Sequence, residues 1–187
     1  MIAYEYNGKP IPYKHGYPFR LIVPQWYGMV WYGMASVKWL KRIVVIDYKF
    51  NGPFQSIDYN YYPYQDSDEW KRPVTYICVN STIQKPLNMA ILNTGIHMMK
   101  RIAWTGKGVI SKVEISIDGG KNWKEATLSK DSSQPYTWTF WKFLWKVDRS
   151  GEYDILVKAM DTYGRQQPHE AMWNQKDTDT MLFQRHQ

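Results

Sequence analysis

Residues 112–123 read KVEISIDGGKNW, and they contain the clearest strand–turn–strand pattern in the 187-residue chain. Val113, Ile115 and Ile117 alternate with polar residues, which predicts a strand with one face toward a core and the other toward solvent. Residues 118–121 (Asp-Gly-Gly-Lys) follow as a hairpin turn, because glycine adopts the backbone angles that such turns require. This unit is typical of an antiparallel β-sheet.

Two later segments also have strand patterns. In residues 138–147 apolar side chains occupy both parities, so we expect that strand to be buried on much of both faces. Tyr153, Ile155, Val157 and Ala159 form a third alternating set. No helical periodicity lies between these strands, and short strands at this spacing indicate an antiparallel β-sandwich.

The first 72 residues have a different character. They are dense in glycine and proline, which indicates irregular loops with short strands. Two β-branched apolar stretches, residues 21–23 and 43–46, are predicted to be strands. A polar run at residues 65–72 follows a tyrosine-rich tract, so we place a domain boundary there. The predicted domains are residues 1–72 and 73–187.

The composition narrows the class of function. The chain has 24 Lys and Arg against 17 Asp and Glu, a net charge of +7, but neither part has a basic stripe, so no nucleic-acid partner is expected. The single cysteine, Cys78, excludes an intrachain disulfide framework and a Cys-rich zinc site. It lies in a predicted strand at residues 74–79 and is expected to be a buried structural thiol, with a thiolate ligand or nucleophile as the alternative. Apolar runs fall short of about 18 residues, so we expect no transmembrane helix.

Positive charge is concentrated before residue 43. One acid, Glu5, lies there against the cations Lys9, Lys14, Arg20, Lys38, Lys41 and Arg42. Such a cluster receives a phosphate or another anion in some proteins and is a solvated basic face in others. Within it, His15, Arg20 and residues 36–38 (Ser-Val-Lys) offer a ring nitrogen, a planar guanidinium and backbone N–H groups to an anion.

Two further local features bear on a site. Asp58 and Tyr59 are adjacent, and a tyrosine hydroxyl beside a carboxylate can relay a proton, with simple packing as the alternative. The tetrapeptide Trp-Tyr-Gly-Met occurs at residues 26–29 and again at 31–34, shortly before Ser36. It is too short for a repeat architecture and indicates a small duplication or loop insertion.

Four longer stretches resemble one known family in the family's own order. AYEYNGKPIPYKHGYPFR (residues 3–20) and SVKWL (36–40) resemble the molybdopterin-binding domain of the sulfite oxidase family. IAWTGKGVISKVEISIDGGKNWKEATL (102–128) and AMDTYGRQQPHEAMWNQK (159–176) resemble that family's molybdenum-cofactor dimerisation domain. The resemblance implies a mainly β chain: an immunoglobulin-like β-sandwich preceded by an incomplete α+β molybdopterin-binding domain.

The resemblance also implies roles for individual residues. His15 and Arg20 match positions that bind the phosphate end of molybdopterin, and Ser36, Val37 and Lys38 match the segment that completes that site. Asp58 and Tyr59 match the family's active-site pair, which follows a G-x-F segment found here at residues 52–54. Lys176 stands in place of a basic residue that attracts the oxyanion substrate. The implied cofactor is molybdenum–molybdopterin, and the implied assembly is a homodimer.

One departure from the family bears on activity. The family binds molybdenum through one cysteine that lies upstream of the A-Y-E segment, and Cys78 stands in the wrong place to inherit that role. We therefore expect a C-terminal part of the enzyme, inactive and poorly soluble without a complementary, cysteine-bearing N-terminal chain.

Three functions remain open at this point. The first is oxygen-atom transfer to or from a small sulfur oxyanion or sulfoxide, and the second is a non-catalytic dimerisation or interaction remnant without cofactor. The third is a carbohydrate-binding sandwich that uses Trp138, Trp141 and Trp145, although their mixed strand parity argues against one flat platform.

Overall fold

The chain folds into two compact units in a computed structural model, and the fold is mainly β, as predicted. The first unit comprises residues 1–77, and the second begins at Cys78. The boundary after residue 72 stays a prediction. The structure describes residues 1–27, 36–53, 56–57, 59–64, 67–129 and 136–168.

Short antiparallel strand pairs form the first unit. β1 pairs with β4, β2 with β3 and β5 with β6. Each strand is two residues long, as expected of a segment so rich in glycine and proline. Among the described residues of this unit, helical geometry occurs in a 3₁₀ helix, Tyr13–His15, and at Pro53, Ser56 and Ile57. The strands are β1 (Ile2–Ala3), β2 (Glu5–Tyr6), β3 (Lys9–Pro10), β4 (Arg20–Leu21), β5 (Asn60–Tyr61) and β6 (Arg72–Pro73).

Three strand predictions in this unit are wrong in whole or in part. Residues 43–46 form no strand and are exposed, because no described segment pairs with them, and Val45 is 94% exposed. Of residues 21–23 only Leu21 belongs to a strand. Pro24 follows this stretch and has no N–H with which to extend the strand pairing. Residues 74–79 form no strand, and Cys78 is half-buried rather than buried.

Two antiparallel sheets form the second unit. One has the strand order β11-β12-β8-β7, and the other has the order β10-β9-β13. β8 and β12 pair in continuous register from Ala103–Thr139 to Gly95–Val147. The strands are β7 (Asn80–Ser81), β8 (Gly95–Trp104), β9 (Ile110–Ser116), β10 (Lys124–Glu125), β11 (Thr127–Leu128), β12 (Thr139–Val147) and β13 (Leu156–Asp161).

The core of the second unit draws on strands of both sheets. Val113 and Ile115 of β9 are fully buried, which confirms the alternation read from the sequence. They share one cluster with Met99 of β8, Trp141 of β12 and Ala159 of β13. The inner faces of the two sheets thus form a β-sandwich.

β12 is buried on fewer sides than the sequence predicts. Trp141 and Trp145 are 2% and 5% exposed, but Phe140 and Leu144 on the opposite face are 57% and 64% exposed. The strand is therefore buried on one face, because the second sheet covers only that side. Trp138 is 63% exposed while the other two tryptophans are buried, so these three rings do not form a sugar-binding platform.

A buried carboxylate holds one end of the sandwich together. The Asp161 side chain is fully buried, and its Oδ1 accepts hydrogen bonds from the backbone N–H groups of Tyr163 (2.9 Å) and Arg165 (3.0 Å). Its Oδ2 accepts from Arg165 Nε at 2.8 Å and from the Thr105 hydroxyl at 2.9 Å. Every oxygen of the buried charge is therefore hydrogen-bonded, as burial requires.

The β9–β10 hairpin is ordered by a second carboxylate. Asp118 accepts hydrogen bonds from the backbone N–H of Asn122 (2.9 Å), the side-chain amide of Asn122 (2.7 Å) and the Ser116 hydroxyl (2.7 Å). These bonds favour the charged carboxylate and lower the pKa of Asp118 from 3.8 to about 2, with the Asn122 backbone N–H as the largest cause. Across the described ranges, no helix has the length and apolar character needed to cross a bilayer.

Candidate anion-binding site

Residues 36–40 run beside the strand that carries Arg20. The N–H of Leu21 donates to the carbonyl of Val37, and the N–H of Leu40 donates to the carbonyl of Phe19, both at 2.9 Å. Arg20 itself pairs with Ala3 across β1 and β4. The two hydrogen bonds therefore hold the predicted anion-binding segment against the residues on either side of Arg20.

The turn that contains His15 packs on the same segment. Lys38 Nζ donates to the Lys14 carbonyl at 3.0 Å, and Trp39 Nε1 donates to the Tyr13 carbonyl at 2.9 Å. The Tyr13 and Trp39 rings lie 5.9 Å apart, centroid to centroid. Segments that are distant in sequence thus meet through side chain–backbone bonds.

Gly16 makes this close approach possible. Its φ is +111°, and a Cβ on it would lie 3.0 Å from both Cα and Cβ of Lys38. Few L-residues adopt such an angle, and 3.0 Å is too close for ordinary carbon contacts. Glycine is therefore required both for the backbone conformation and for the room beside Lys38.

Arg20 has a buried donor without an acceptor. Its Nε is inaccessible to solvent and has no hydrogen-bond partner within the described part of the chain. A buried, unsatisfied guanidinium nitrogen is costly, and an oxyanion is the group that satisfies it best. Lys14, His15 and Lys38 belong to the segments that the contacts above join to the strand of Arg20.

The structure brings part of the predicted site together. Arg20, Ser36 and Val37 are half-buried, while His15 and Lys38 are exposed, and the contacts above join their segments. Tyr59 is half-buried and directly precedes β5, and its carbonyl accepts from the Val74 N–H at 2.9 Å. Asp58, Lys176 and most of the duplication (residues 28–34) lie outside the described residues.

Sequence reasoning missed two residues that shape this site. Gly16 was not singled out, and neither was Trp39, which has φ +51° and anchors the segment to Tyr13. Both stand inside the quoted motifs, directly after His15 and Lys38. The sequence indicates only that they are neighbours of His15 and Lys38. The contact between the two motifs is visible in the fold alone.

Comparisons with known proteins identify the class of protein as a molybdenum-cofactor oxidoreductase. Residues 71–185 match the Mo-co oxidoreductase dimerisation domain, and residues 1–54 match the oxidoreductase molybdopterin binding domain. Sulfite oxidase from Gallus gallus is 32% identical over 185 residues, which cover 93% of this chain and 39% of the relative. Sulfite oxidase from Arabidopsis thaliana is 33% identical, with 93% and 47% covered.

A solved structure is similar over the same extent. The sulfane dehydrogenase SoxCD from Paracoccus pantotrophus matches 90% of this chain and 41% of that chain, with a TM-score of 0.76 and 30% identity. The chain therefore spans less than half the length of these relatives. It belongs to the sulfite oxidase family of molybdenum-cofactor oxidoreductases.

The family's cofactor is molybdenum–molybdopterin, and the residues present fit its phosphate group. The unsatisfied Arg20 Nε supplies a buried donor. Lys38 Nζ donates one of its three N–H groups to the Lys14 carbonyl, and the other two can donate to an oxyanion. No described residue among these is an acid that would repel a phosphate.

Proposed function

We propose that the chain is part of a sulfite-oxidase-like molybdenum oxidoreductase that transfers an oxygen atom to or from a small sulfur oxyanion or sulfoxide. In this proposal residues 1–72 help to hold the cofactor and residues 73–187 form a homodimerisation domain. The observation that carries the proposal is the buried Arg20 Nε, which has no partner among the described residues. The neighbours of Arg20 on both sides form the hydrogen bonds that hold residues 36–40 in place.

The phosphate-binding role is divided among three kinds of donor. Arg20 offers a planar guanidinium whose geometry matches phosphate oxygens, and Lys38 adds a point charge. His15 is exposed at the end of the 3₁₀ helix, so its ring is accessible to a ligand. Ser36 and Val37 are proposed to contribute backbone N–H groups.

The substrate-binding role is assigned to Tyr59, Asp58 and Lys176. We propose that the Tyr59 hydroxyl donates a hydrogen bond to the substrate, that Asp58 orients or polarises that hydroxyl, and that Lys176 adds positive potential. When bound, the molybdenum centre supplies the two-electron redox chemistry, and these residues bind and orient the oxyanion. The assignment rests on the motif order, since Asp58 and Lys176 lie outside the described residues.

The molybdenum ligand is proposed to come from a cysteine outside residues 1–187. The family's ligating cysteine precedes the A-Y-E segment, whereas Cys78 follows that segment in the sequence. The chain is therefore expected to be inactive until a cysteine-bearing segment joins it as a complementary N-terminal partner.

The test measures molybdenum and pterin on the purified full chain, alone and after co-expression with the cysteine-bearing domain of the Arabidopsis relative. Both should co-purify with the co-expressed pair. Arg20→Gln should lower pterin content by about tenfold or more, because a hydrogen bond to a charged group contributes about 1.5–3 kcal/mol. The matched control Arg149→Gln, an exposed arginine of the second unit, should leave it unchanged. Absence of both molybdenum and pterin from both preparations would contradict the cofactor assignment.

A second candidate is a non-catalytic dimerisation or interaction module. It is favoured by the sandwich, which has a hydrophobic core of its own around Met99, Val113 and Trp141. Such a module would form dimers in sedimentation experiments whether or not pterin is present. Pterin retention that depends on Arg20 would rule it out as the full description.

A further inference from the structure

We propose that the outer face of the four-stranded sheet binds an acidic partner protein that presents apolar side chains. This surface, the lysine–apolar face, comprises Ile96, Met98 and Lys100 of β8 and Phe140, Lys142 and Leu144 of β12. The proposal is independent of the cofactor site, because it rests on residues of the second unit.

The apolar side chains of this face form a strip that Lys100 and Lys142 interrupt. Ile96, Met98, Phe140 and Leu144 are 71%, 54%, 57% and 64% exposed. In the register of β8 and β12, Leu144 lies opposite Met98 and Phe140 lies opposite Ile102. Ile96, Met98 and Leu144 are neighbours in this register, and such grouped apolar exposure marks an interaction site more often than scattered single residues do.

Two lysines lie in the middle of the strip, directly opposite one another. Lys142 is the register partner of Lys100, both are exposed, and neither has an ion pair within the described part of the chain. Like charges in directly opposed positions destabilise a sheet. The face therefore carries an electrostatic cost that a partner's carboxylates would remove.

The other sheet of the sandwich treats its lysines differently. Lys112 and Lys158 both pair with Glu114, at 3.0 Å and 3.5 Å. Lys158 also lies 4.0 Å from the centroid of the Trp123 ring. Both of those lysines therefore have a carboxylate partner, whereas Lys100 and Lys142 have none within the described part of the chain.

The charge pattern selects the partner. A two-fold contact of this face with a second copy would set the lysine pair against lysines, and each copy already carries a net charge of +7. A protein surface with apolar side chains flanked by Asp or Glu would bury the apolar strip and pair with the two lysines. A helix packed on a sheet face is a stable layer arrangement, so an acidic amphipathic helix is the simplest probe.

The experiment uses the full chain with labelled Ile, Met and Leu methyl groups and a synthetic amphipathic helix with leucines flanked by glutamates. The peptide should shift the methyl resonances of Ile96, Met98 and Leu144, with affinity falling as salt rises. The double variant Lys100→Glu/Lys142→Glu should weaken binding by about tenfold or more. Lys121→Glu/Lys124→Glu makes the same change of net charge at the β9–β10 hairpin and should leave binding unchanged. If the first double variant does not fold, Lys100→Gln/Lys142→Gln replaces it.

Three results would overturn the proposal. A peptide with glutamine in place of glutamate that binds equally well shows that charge plays no part. Vesicles of phosphatidylglycerol that shift the same methyls when the acidic peptide does not show that the face takes a lipid surface. A dimer that Leu144→Asp dissociates in sedimentation experiments shows that a second copy covers the face.

Discussion

The substitution Gly16→Ala tests how the candidate anion site is built. An alanine Cβ at this position would lie 3.0 Å from Cα and Cβ of Lys38 and 3.3 Å from its Cγ, at φ +111°. The backbone strain of a residue other than glycine at such an angle costs about 1–3 kcal/mol. The forced contact adds about 1–3 kcal/mol, because Lys38 Cα is backbone and cannot rotate away.

Gly8→Ala is the matched control. Gly8 also has a positive φ, +71°, but a Cβ there would meet nothing within 4 Å. Both variants therefore carry backbone strain, and only Gly16→Ala carries the contact. We expect Gly16→Ala to destabilise the joined segments by about 1–3 kcal/mol more than Gly8→Ala destabilises its own turn.

Hydrogen exchange followed by mass spectrometry provides the readout. The amides of Leu21 and Leu40 donate across the two segments, so their exchange reports the opening of this contact. At about tenfold per 1.4 kcal/mol, Gly16→Ala should speed their exchange by about 5- to 150-fold over Gly8→Ala. Equal exchange of Leu40 in the two variants would refute the account of Gly16 as the residue that admits Lys38.

Two further predictions concern the sandwich. Asp161→Ala should lower the free energy of unfolding by about 1.5–3 kcal/mol in urea titrations, because it leaves the Arg165 guanidinium and the backbone N–H groups of Tyr163 and Arg165 without their acceptor. The exposed pair of Asp148 with Lys146 serves as the control, and Asp148→Ala should cost about 1 kcal/mol or less; similar losses would contradict the buried-network account. The pKa of Asp118 is lowered to about 2 in the folded state, so its stabilisation is present above the ordinary value of 3.8 and lost as pH falls toward 2. Asp118→Asn should flatten the fall of the thermal midpoint across that range, and an unchanged slope would count against the hairpin network.

The sequence predicted local alternation well and pairing poorly. The inward side chains of β9 followed from period two alone, because Val113 and Ile115 sit in one continuous strand. The predicted burial of both faces of β12 was wrong, because the exposure of Phe140 depends on which side of the strand the other sheet covers. Residues 43–46 have strand-forming side chains, but a strand also needs a partner, and none of the described segments pairs with them.

The candidate site was predictable in its residue types and not in its construction. The resemblance pointed to Arg20 and Lys38, whose charges suit a phosphate by chemistry alone. Gly16 and Trp39 act through the approach of two segments, which hydrogen bonds such as Leu21 to Val37 establish. A linear pattern contains no information on that distance, so their roles required the fold.

The two-residue strands of the first unit have a consequence for how ligand binding and order are linked. Each such pair has few ladder bonds, so local opening of β1 and β4 is expected at a small fraction of the global unfolding free energy. An anion that binds only the closed form at Arg20 adds RT ln(1 + [L]/Kd) to that opening free energy. The affinity for the anion therefore sets how far the anion raises the free energy of opening. Phosphate alone should raise the resistance of this unit to proteolysis.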